Sequence, residues 1–380
     1  MNKVLVIGAG LAGAVVSREL ANIGYKVLLI EKRNHIGGNM YDYVDSNGIL
    51  VHKYGPHIFH TNDKSLFDYI SHYSEWIPYN LKCMAKINGV FTPTPFNFNT
   101  IDAFYAPKKA TELKQHLKEY FDNDTATVLE AMNCSDPIIK EYAKFLFDND
   151  YSLYTAKQWG INPCEIDPSV LKRVPLRFSY EDAYFDDKYQ FMPKNGYTRF
   201  FEILLDHINI VIETGKDALN YLAINGSSIE FDNQIITYPI VFTGPLDSLF
   251  KYKYGNLPYR SLWFKWNHSK CDSFQPAAVV AYPQEAEYTR ITEYKKLPFQ
   301  QVQGTTYAEE YSIPFKEGQD VEPYYPVLTD KSISLYEKYR KEAERIPNLY
   351  ICGRLGDFKY YNMDQALNTA LAIVSKIINK

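Results

Sequence analysis

The chain has 380 residues, of which 46% are hydrophobic and 23% charged, and its formal net charge is −4. That composition supports a substantial core, excludes disordered and collagen-like chains, and lacks the basic excess with which proteins grip nucleic acid through counterion release. The length allows two to three folding units of roughly 150 residues each, and the absence of any run of ~18 apolar residues leaves no membrane-spanning helix to expect.

Residues 2–7 read as a buried strand, followed by Gly8-Ala9-Gly10-Leu11-Ala12-Gly13 and by helical periodicity from Ala14 to Asn22 that stops before Gly24. Residues 26–30 form a second apolar strand ending at Glu31. This strand–turn–helix–strand opening is that of a doubly wound sheet. The glycines cut Val4–Ile7 too short for a secretion signal, so a cytoplasmic protein is expected. Short strands are expected over 48–60 and a helix over 65–74. Residues 83–97 alternate around Asn88-Gly89, a hairpin signal. From Thr100 to Asp150 the pattern changes to amphipathic helices, with breaks near Pro107, Asn123 and Pro137. Turns and short strands are expected over 156–192, a helix over 197–206, and strands over 208–213, 228–231 and 234–243. Residues 258–311 alternate as in an antiparallel sheet. A last strand, Leu349–Cys352, precedes a turn at Gly353-Arg354-Leu355-Gly356, and the helix Gln365–Ile378 aligns Leu367, Ala370, Leu371, Val374 and Ile378 on one face.

Five cysteines without C-x-x-C spacing argue against a zinc site or a disulfide framework. Thirty-three tyrosines suit a site that stacks rings and binds hydroxyls, although coding bias accounts for many of them. The G-x-G-x-x-G glycines carry specific tasks: Gly8 permits the tight turn, Gly10 lets backbone N–H groups approach a pyrophosphate, and Gly13 allows close helix–strand packing. The helix N-terminus favours phosphate charge. Glu31, 18 residues after Gly13, is placed to accept from a ribose hydroxyl. The extension Arg33-Asn34-His35-Ile36-Gly37-Gly38-Asn39 brings a second glycine pair close to the cofactor and resembles FAD enzymes of the amine-oxidase type more than simple NAD dehydrogenases.

Further segments are more specific. Val51-His52-Lys53-Tyr54-Gly55-Pro56-His57-Ile58-Phe59-His60-Thr61, Tyr154-Thr155-Ala156-Lys157-Gln158-Trp159-Gly160, Leu171-Lys172-Arg173-Val174-Pro175-Leu176-Arg177-Phe178, Tyr184-Phe185, Met192-Pro193-Lys194, Tyr288-Thr289-Arg290-Ile291-Thr292-Glu293, Tyr324-Tyr325-Pro326 and Gly353-Arg354-Leu355-Gly356 resemble the UDP-galactopyranose mutase family, in family order from end to end. The resemblance implies an α/β fold: a Rossmann-like FAD-binding domain (1–75 with 193–245 and 318–380), a helical insertion (98–155) and a twisted antiparallel β-sheet domain (76–97 with 156–192 and 246–317). It implies an isomerase that exchanges the pyranose and furanose rings of a nucleotide sugar, with reduced flavin N5 bonding to the anomeric carbon while the nucleoside diphosphate leaves and returns. NADH or NADPH is the expected external reductant and a homodimer the expected assembly.

Residue by residue, the resemblance makes Arg173 and Arg290 the diphosphate clamps, Arg173 in a mobile loop, with Tyr184, Tyr311 and Tyr360 donating to phosphate oxygens. Trp159 borders the sugar, and Tyr154 with Thr155 the base. His57 lies by the flavin near N5. Gly8, Gly10, Leu11, Gly13, Glu31, Lys32, Gly38, Asn39, Ile58, Arg354, Tyr361, Asn362, Met363, Asp364, Gln365 and Ala366 complete the flavin set, with the final helix directing its positive end at the flavin's pyrimidine edge.

Departures cluster at the substrate end. Leu81 and Ala281 stand where members acting on UDP-galactose carry asparagines, Asn362 replaces an aspartate, and Ser152, Leu153 and Phe191 differ near the expected base pocket. Loss of two amides suits a less hydroxylated sugar, so the dTDP-fucopyranose branch is expected ahead of UDP-galactopyranose. A redox flavoenzyme of the amine-oxidase type and a non-catalytic nucleotide-sugar binder are the competing classes.

Overall fold

The computed structural model describes residues 2–160, 174–285, 287–316, 318 and 321–380. A five-stranded parallel sheet carries the first domain, in the order Ile210–Glu213, Lys26–Ile30, Lys3–Ile7, Ile240–Phe242, Leu349–Ile351. Its central strand buries Val4, Leu5, Val6 and Ile7 on both faces, as a parallel sheet covered on both sides requires. The helices Leu11–Asn22, Tyr197–Leu205 and Met363–Ile378 share a core on one face. The helix Asp330–Glu344 and a small three-stranded sheet (Leu222–Asn225, Ser228–Phe231, Gln234–Ile236) cover the other. Strands from three distant parts of the chain therefore build one sheet.

The second sheet has seven strands, ordered Tyr325–Pro326, Tyr259–Ser269, Thr305–Pro314, Arg290–Glu293, Val279–Ala281, Cys83–Ile87, Val90–Thr94. Asn88 and Gly89 turn its edge hairpin with φ of 49° and 82°, the doubly positive pair a two-residue turn demands. The expected all-antiparallel pairing needs one correction: Val279–Ala281 runs parallel to Cys83–Ile87. The chain makes a long excursion between these two strands, so no short turn dictates their relative direction.

The helical insertion contains Phe98–Phe104, Pro107–Tyr120, Val128–Asn133 and Pro137–Leu146. Pro107 and Pro137 each open a helix at the position where a missing N–H costs nothing. The last helix does not end where the sequence pattern changed. It passes through a π-helical turn, Phe147–Tyr151, into Ser152–Trp159, so the boundary at 155 falls inside a helix. No proline or glycine interrupts 138–159, and the stop comes at Gly160, left-handed at φ 64°. The helix Asp330–Glu344 also went unrecognised, because only Tyr336, Tyr339 and Ala343 mark its apolar face amid charged residues.

Candidate active site

Two cavities adjoin. The first, about 360 Å³, is walled by the Gly8–Gly13 turn, the end of the strand Lys26–Ile30, Gly38 and Asn39, and the start of the final helix. Its walls are backbone held close to backbone. Gly8 has φ 103°, and a Cβ there would stand 2.0 Å from Thr243 Oγ1. A Cβ on Gly13 would lie 1.9 Å from the Gly8 carbonyl oxygen, and one on Gly38 2.8 Å from Gly10 Cα. Such spacing leaves N–H groups bare toward an anionic ligand. Glu31 is buried and accepts from Ala9 N–H at 2.7 Å and Arg33 N–H at 3.0 Å. Each oxygen keeps a further lone pair for ribose hydroxyls. Arg33 gives Nη2 to Asn39 Oδ1 at 2.9 Å and pairs with Glu322, while its Nη1 is buried without a partner among the described residues. A glycine cradle, a ribose-reading acid and a spare guanidinium nitrogen fit a dinucleotide such as FAD.

The second cavity, about 380 Å³, lies between the seven-stranded sheet and the helix Ser152–Trp159. His57, Tyr324, Arg354, Asn362 and Met363 border both cavities, so a ligand ring in the first reaches the second there. Arg290 projects from the strand Arg290–Glu293. Its Nε and Nη2 both meet Glu310 Oε2, at 2.9 and 2.8 Å, and although burial opposes its charge, Glu310 holds its pKa above the ordinary arginine value. Among the described residues the other Arg290 donors meet no acceptor, and they can turn to an anion. Arg354 Nη2 donates to the Tyr361 carbonyl at 2.6 Å, and its guanidinium stands 5.5 Å from the ring centres of Tyr325 and Tyr360.

His57 is held neutral. Burial, with His52 and then Arg354 nearby, pushes it down to about 3. Its Nδ1 lies 2.9 Å from the Gly55 carbonyl, which can only accept, so Nδ1 carries the proton and Nε2 keeps its lone pair. Its backbone N–H donates to His52 Nδ1 at 3.1 Å, and burial pushes His52 down to about 4.

Of the residues singled out in the sequence, Gly8, Gly10, Leu11, Gly13, Glu31, Lys32, Gly38, Asn39, Tyr361 and Ala366 line the first cavity. Leu81, Tyr154, Thr155, Trp159, Tyr184, Ala281, Arg290, Tyr360 and Ile58 line the second. Asp364 and Gln365 line neither; Gln365 Oε1 instead accepts the Asn362 N–H at 2.9 Å and closes the final helix's capping box. Tyr311 also lies outside both, donating to Glu309 Oε2 at 2.8 Å and packing on Trp263. Arg173 lies outside the described residues. Ser152, Leu153 and Phe191 do not line the cavity: Leu153 faces solvent and Phe191 stacks on Phe67.

Sequence reasoning missed three residues. Tyr325, stacked on Tyr360 at 5.0 Å, lines the second cavity where Tyr311 does not; the Tyr324-Tyr325-Pro326 motif was the available signal. Glu310 anchors Arg290, and its pairing follows only from strand register, since Arg290 and Glu310 face each other directly. Asp150, buried in the π-helical turn, also lines the second cavity, with no signal beyond an acid ahead of Tyr154-Thr155.

Comparison with known proteins follows this division. Residues 149–360 match the family model for UDP-galactopyranose mutase, and residues 6–73 a model for an NAD(P)-binding Rossmann-like domain. A Klebsiella pneumoniae protein described as a probable UDP-galactopyranose mutase is 37% identical over 99% of this chain and 96% of its own length. An Escherichia coli dTDP-fucopyranose mutase is 36% identical over 98% and 97%. A crystal structure of reduced UDP-galactopyranose mutase superposes with a TM-score of 0.73 at 16% identity, covering 100% of this chain and 96% of that one. At that identity it speaks for the fold alone. Among the described residues no helix is long and apolar enough to cross a membrane.

Proposed function

The chain belongs to the UDP-galactopyranose mutase family, and on that premise we propose that it interconverts dTDP-fucopyranose and dTDP-fucofuranose in preference to the UDP-galactose pair. The observation that carries the preference is that Leu81 lines the substrate cavity and packs in one cluster with Ile58, whereas Ala281 lies beyond Arg290 on the side of Ala85 and Tyr151. An amide at position 81 would be left unpaired by a sugar lacking the matching hydroxyl, whereas an apolar side chain accepts a methyl group. The base preference draws no support from Ser152, Leu153 or Phe191, which stand off the cavity wall.

Bound and reduced, FAD would supply an electron-rich ring nitrogen as the nucleophile toward the anomeric carbon. The protein's part is to position and to balance charge. Arg290, kept charged by Glu310, holds the diphosphate both as substituent and as leaving group. Tyr154, Tyr184, Tyr325 and Tyr360 ring that position, their faces excluding water and their hydroxyls able to donate to phosphate. Neutral His57 presents an acceptor nitrogen at the boundary between the cavities without adding positive charge. The final helix opens at Met363 on that same boundary, so its positive end favours a negatively charged ring. NADH or NADPH serves as the external reductant.

The test is one assay. Dithionite-reduced protein receives UDP-galactopyranose, UDP-fucopyranose, dTDP-galactopyranose and dTDP-fucopyranose separately, with products resolved by chromatography. The dTDP-fucose pair is expected to turn over fastest, many times per reduction. Faster conversion of UDP-galactopyranose sinks the substrate assignment alone. Acceptor consumption in step with substrate oxidation sinks the isomerase reading.

A further inference from the structure

Asp150 is a buried residue, 8% exposed, whose carboxyl has no partner among the described residues and opens on the substrate cavity. Among the described residues no hydrogen-bond donor or ion-pair partner reaches it; desolvation is the one influence on its titration and pushes it up to about 7. A carboxyl buried without a donor costs stability, and the usual reason such a group persists is a ligand that completes it. The π-helical turn Phe147–Tyr151 that presents it is itself a local irregularity of the sort that gathers at functional sites.

Its place in the cavity indicates which part of a ligand it meets. The π-helical turn packs on the strand Cys83–Ile87, whereas the helix Ser152–Trp159 that follows packs on Thr305–Pro314. Gly55, in the turn that carries His57, approaches Glu310 on that second strand. Two strands, Val279–Ala281 and Arg290–Glu293, separate Cys83–Ile87 from Thr305–Pro314. At ~4.8 Å per strand, Asp150 stands roughly 14 Å across the sheet from the boundary with the dinucleotide cavity, with Arg290 between them. Along the helix it lies nine residues before Trp159, roughly 13 Å. A nucleotide sugar whose anomeric carbon reacts at the boundary places its diphosphate at Arg290 and its base, the group farthest from that carbon, at Asp150.

We propose that Asp150 reads the pyrimidine base of the nucleotide sugar: the base N3–H donates to one carboxyl oxygen, and the protonated carboxyl donates its O–H to an adjoining base carbonyl. The inference rests on the nucleotide-sugar reading above. Uracil and thymine both present this imide edge, so the carboxyl is indifferent to the thymine methyl.

The full-length protein, as wild type, Asp150→Asn and Asp150→Leu, is titrated calorimetrically with UDP, dTDP and N3-methyl-UDP. Wild type is expected to bind UDP and dTDP about tenfold more tightly than the N3-methyl compound, the size of one or two lost hydrogen bonds. Asp150→Asn, whose amide reproduces one donor and one acceptor, keeps that preference; Asp150→Leu weakens UDP binding about tenfold and binds both uridine compounds alike. Equal binding of the two by wild type overturns the proposal even if no variant folds. So does an Asp150→Leu protein that keeps the wild-type preference, and both results leave the mutase reading standing. Failure of wild type to bind either diphosphate overturns both.

Discussion

The two adjoining cavities are almost equal in volume, about 360 and 380 Å³, and each holds a buried acid, yet they are built by opposite means. In the dinucleotide cavity glycine backbone makes the wall, and Glu31 is satisfied by two backbone N–H groups. In the substrate cavity side chains make the wall: Arg290 on Glu310, Arg354 beside two tyrosine rings, and Asp150 with no donor among the described residues. In the first the backbone shape is fixed before any ligand arrives, and Arg33 Nη1 is the side-chain donor left over, without a partner among the described residues. The second leaves donors and acceptors for a ligand to finish, which is where substrate choice is exercised.

The contrast breaks most visibly at Arg290. Arg290→Ala leaves Glu310, 1% exposed, as an uncompensated buried charge, and is expected to cost about 3 kcal/mol or more of stability along with all turnover. Arg290→Met combined with Glu310→Gln removes both charges, and should recover most of the stability and none of the turnover. Chemical denaturation and the furanose assay read the two effects separately. Recovered turnover in the double variant would show that the diphosphate does not depend on this guanidinium.

The glycine wall fails differently. Gly8→Ala forces a Cβ onto Thr243 at a left-handed φ and is expected to cost about 2 kcal/mol, with loss of flavin absorbance per mole of protein. Gly24 has φ 90° but open space around it. Gly24→Ala should therefore cost about 1 kcal/mol and leave flavin content unchanged. Equal flavin loss in both variants would mean that backbone strain, and not the cradle's shape, controls retention.

A subtler change sharpens the comparison on the substrate side. Leu81→Asn restores an amide to the cavity wall and is expected to move the ratio of kcat/KM for UDP-galactopyranose over dTDP-fucopyranose upward by about tenfold. Flavin content, set in the other cavity, should not change.

The same contrast explains what was legible in the sequence. Gly8, Gly10, Gly13 and Glu31 occupy fixed spacings because the turn's geometry is local, and the structure brings all four to the wall of one cavity. The Asn88-Gly89 hairpin and the proline-opened helices were legible for the same reason. The substrate cavity draws on strands and helices that meet only after folding. Glu310 is read from register against Arg290 and Asp150 from the π-helical turn, and neither has a local spacing to reveal it. Tyr311 and Tyr325 show the limit of motif reasoning: both sit near family segments, but strand position decides that Tyr325 lines the cavity while Tyr311 turns to Glu309. The helix Asp330–Glu344 was obscured by its charged outer face.

The smallest expected effect concerns the boundary between the cavities and its dependence on pH. His52 and His57 are held neutral, at about 4 and about 3, chiefly by burial, whereas the unfolded chain titrates its histidines near 6.5. Between those values the unfolded state binds more protons than the folded one, so stability rises with pH. The contribution is complete above about pH 6.5 and is lost as the pH falls toward 4. Buried carboxylates with depressed values, such as Glu322 beside Arg33 and Lys32, add a slope of the same sign at lower pH, so the histidine share must be isolated by substitution. His52→Gln keeps an acceptor for the His57 N–H and removes one titrating ring. Its Tm should fall less than the wild-type Tm between pH 6.5 and 4.5, by about 2–4 °C for each kcal/mol of linkage removed. Parallel curves for the two proteins would mean that the His52 ring is hydrated enough in the folded protein to titrate normally.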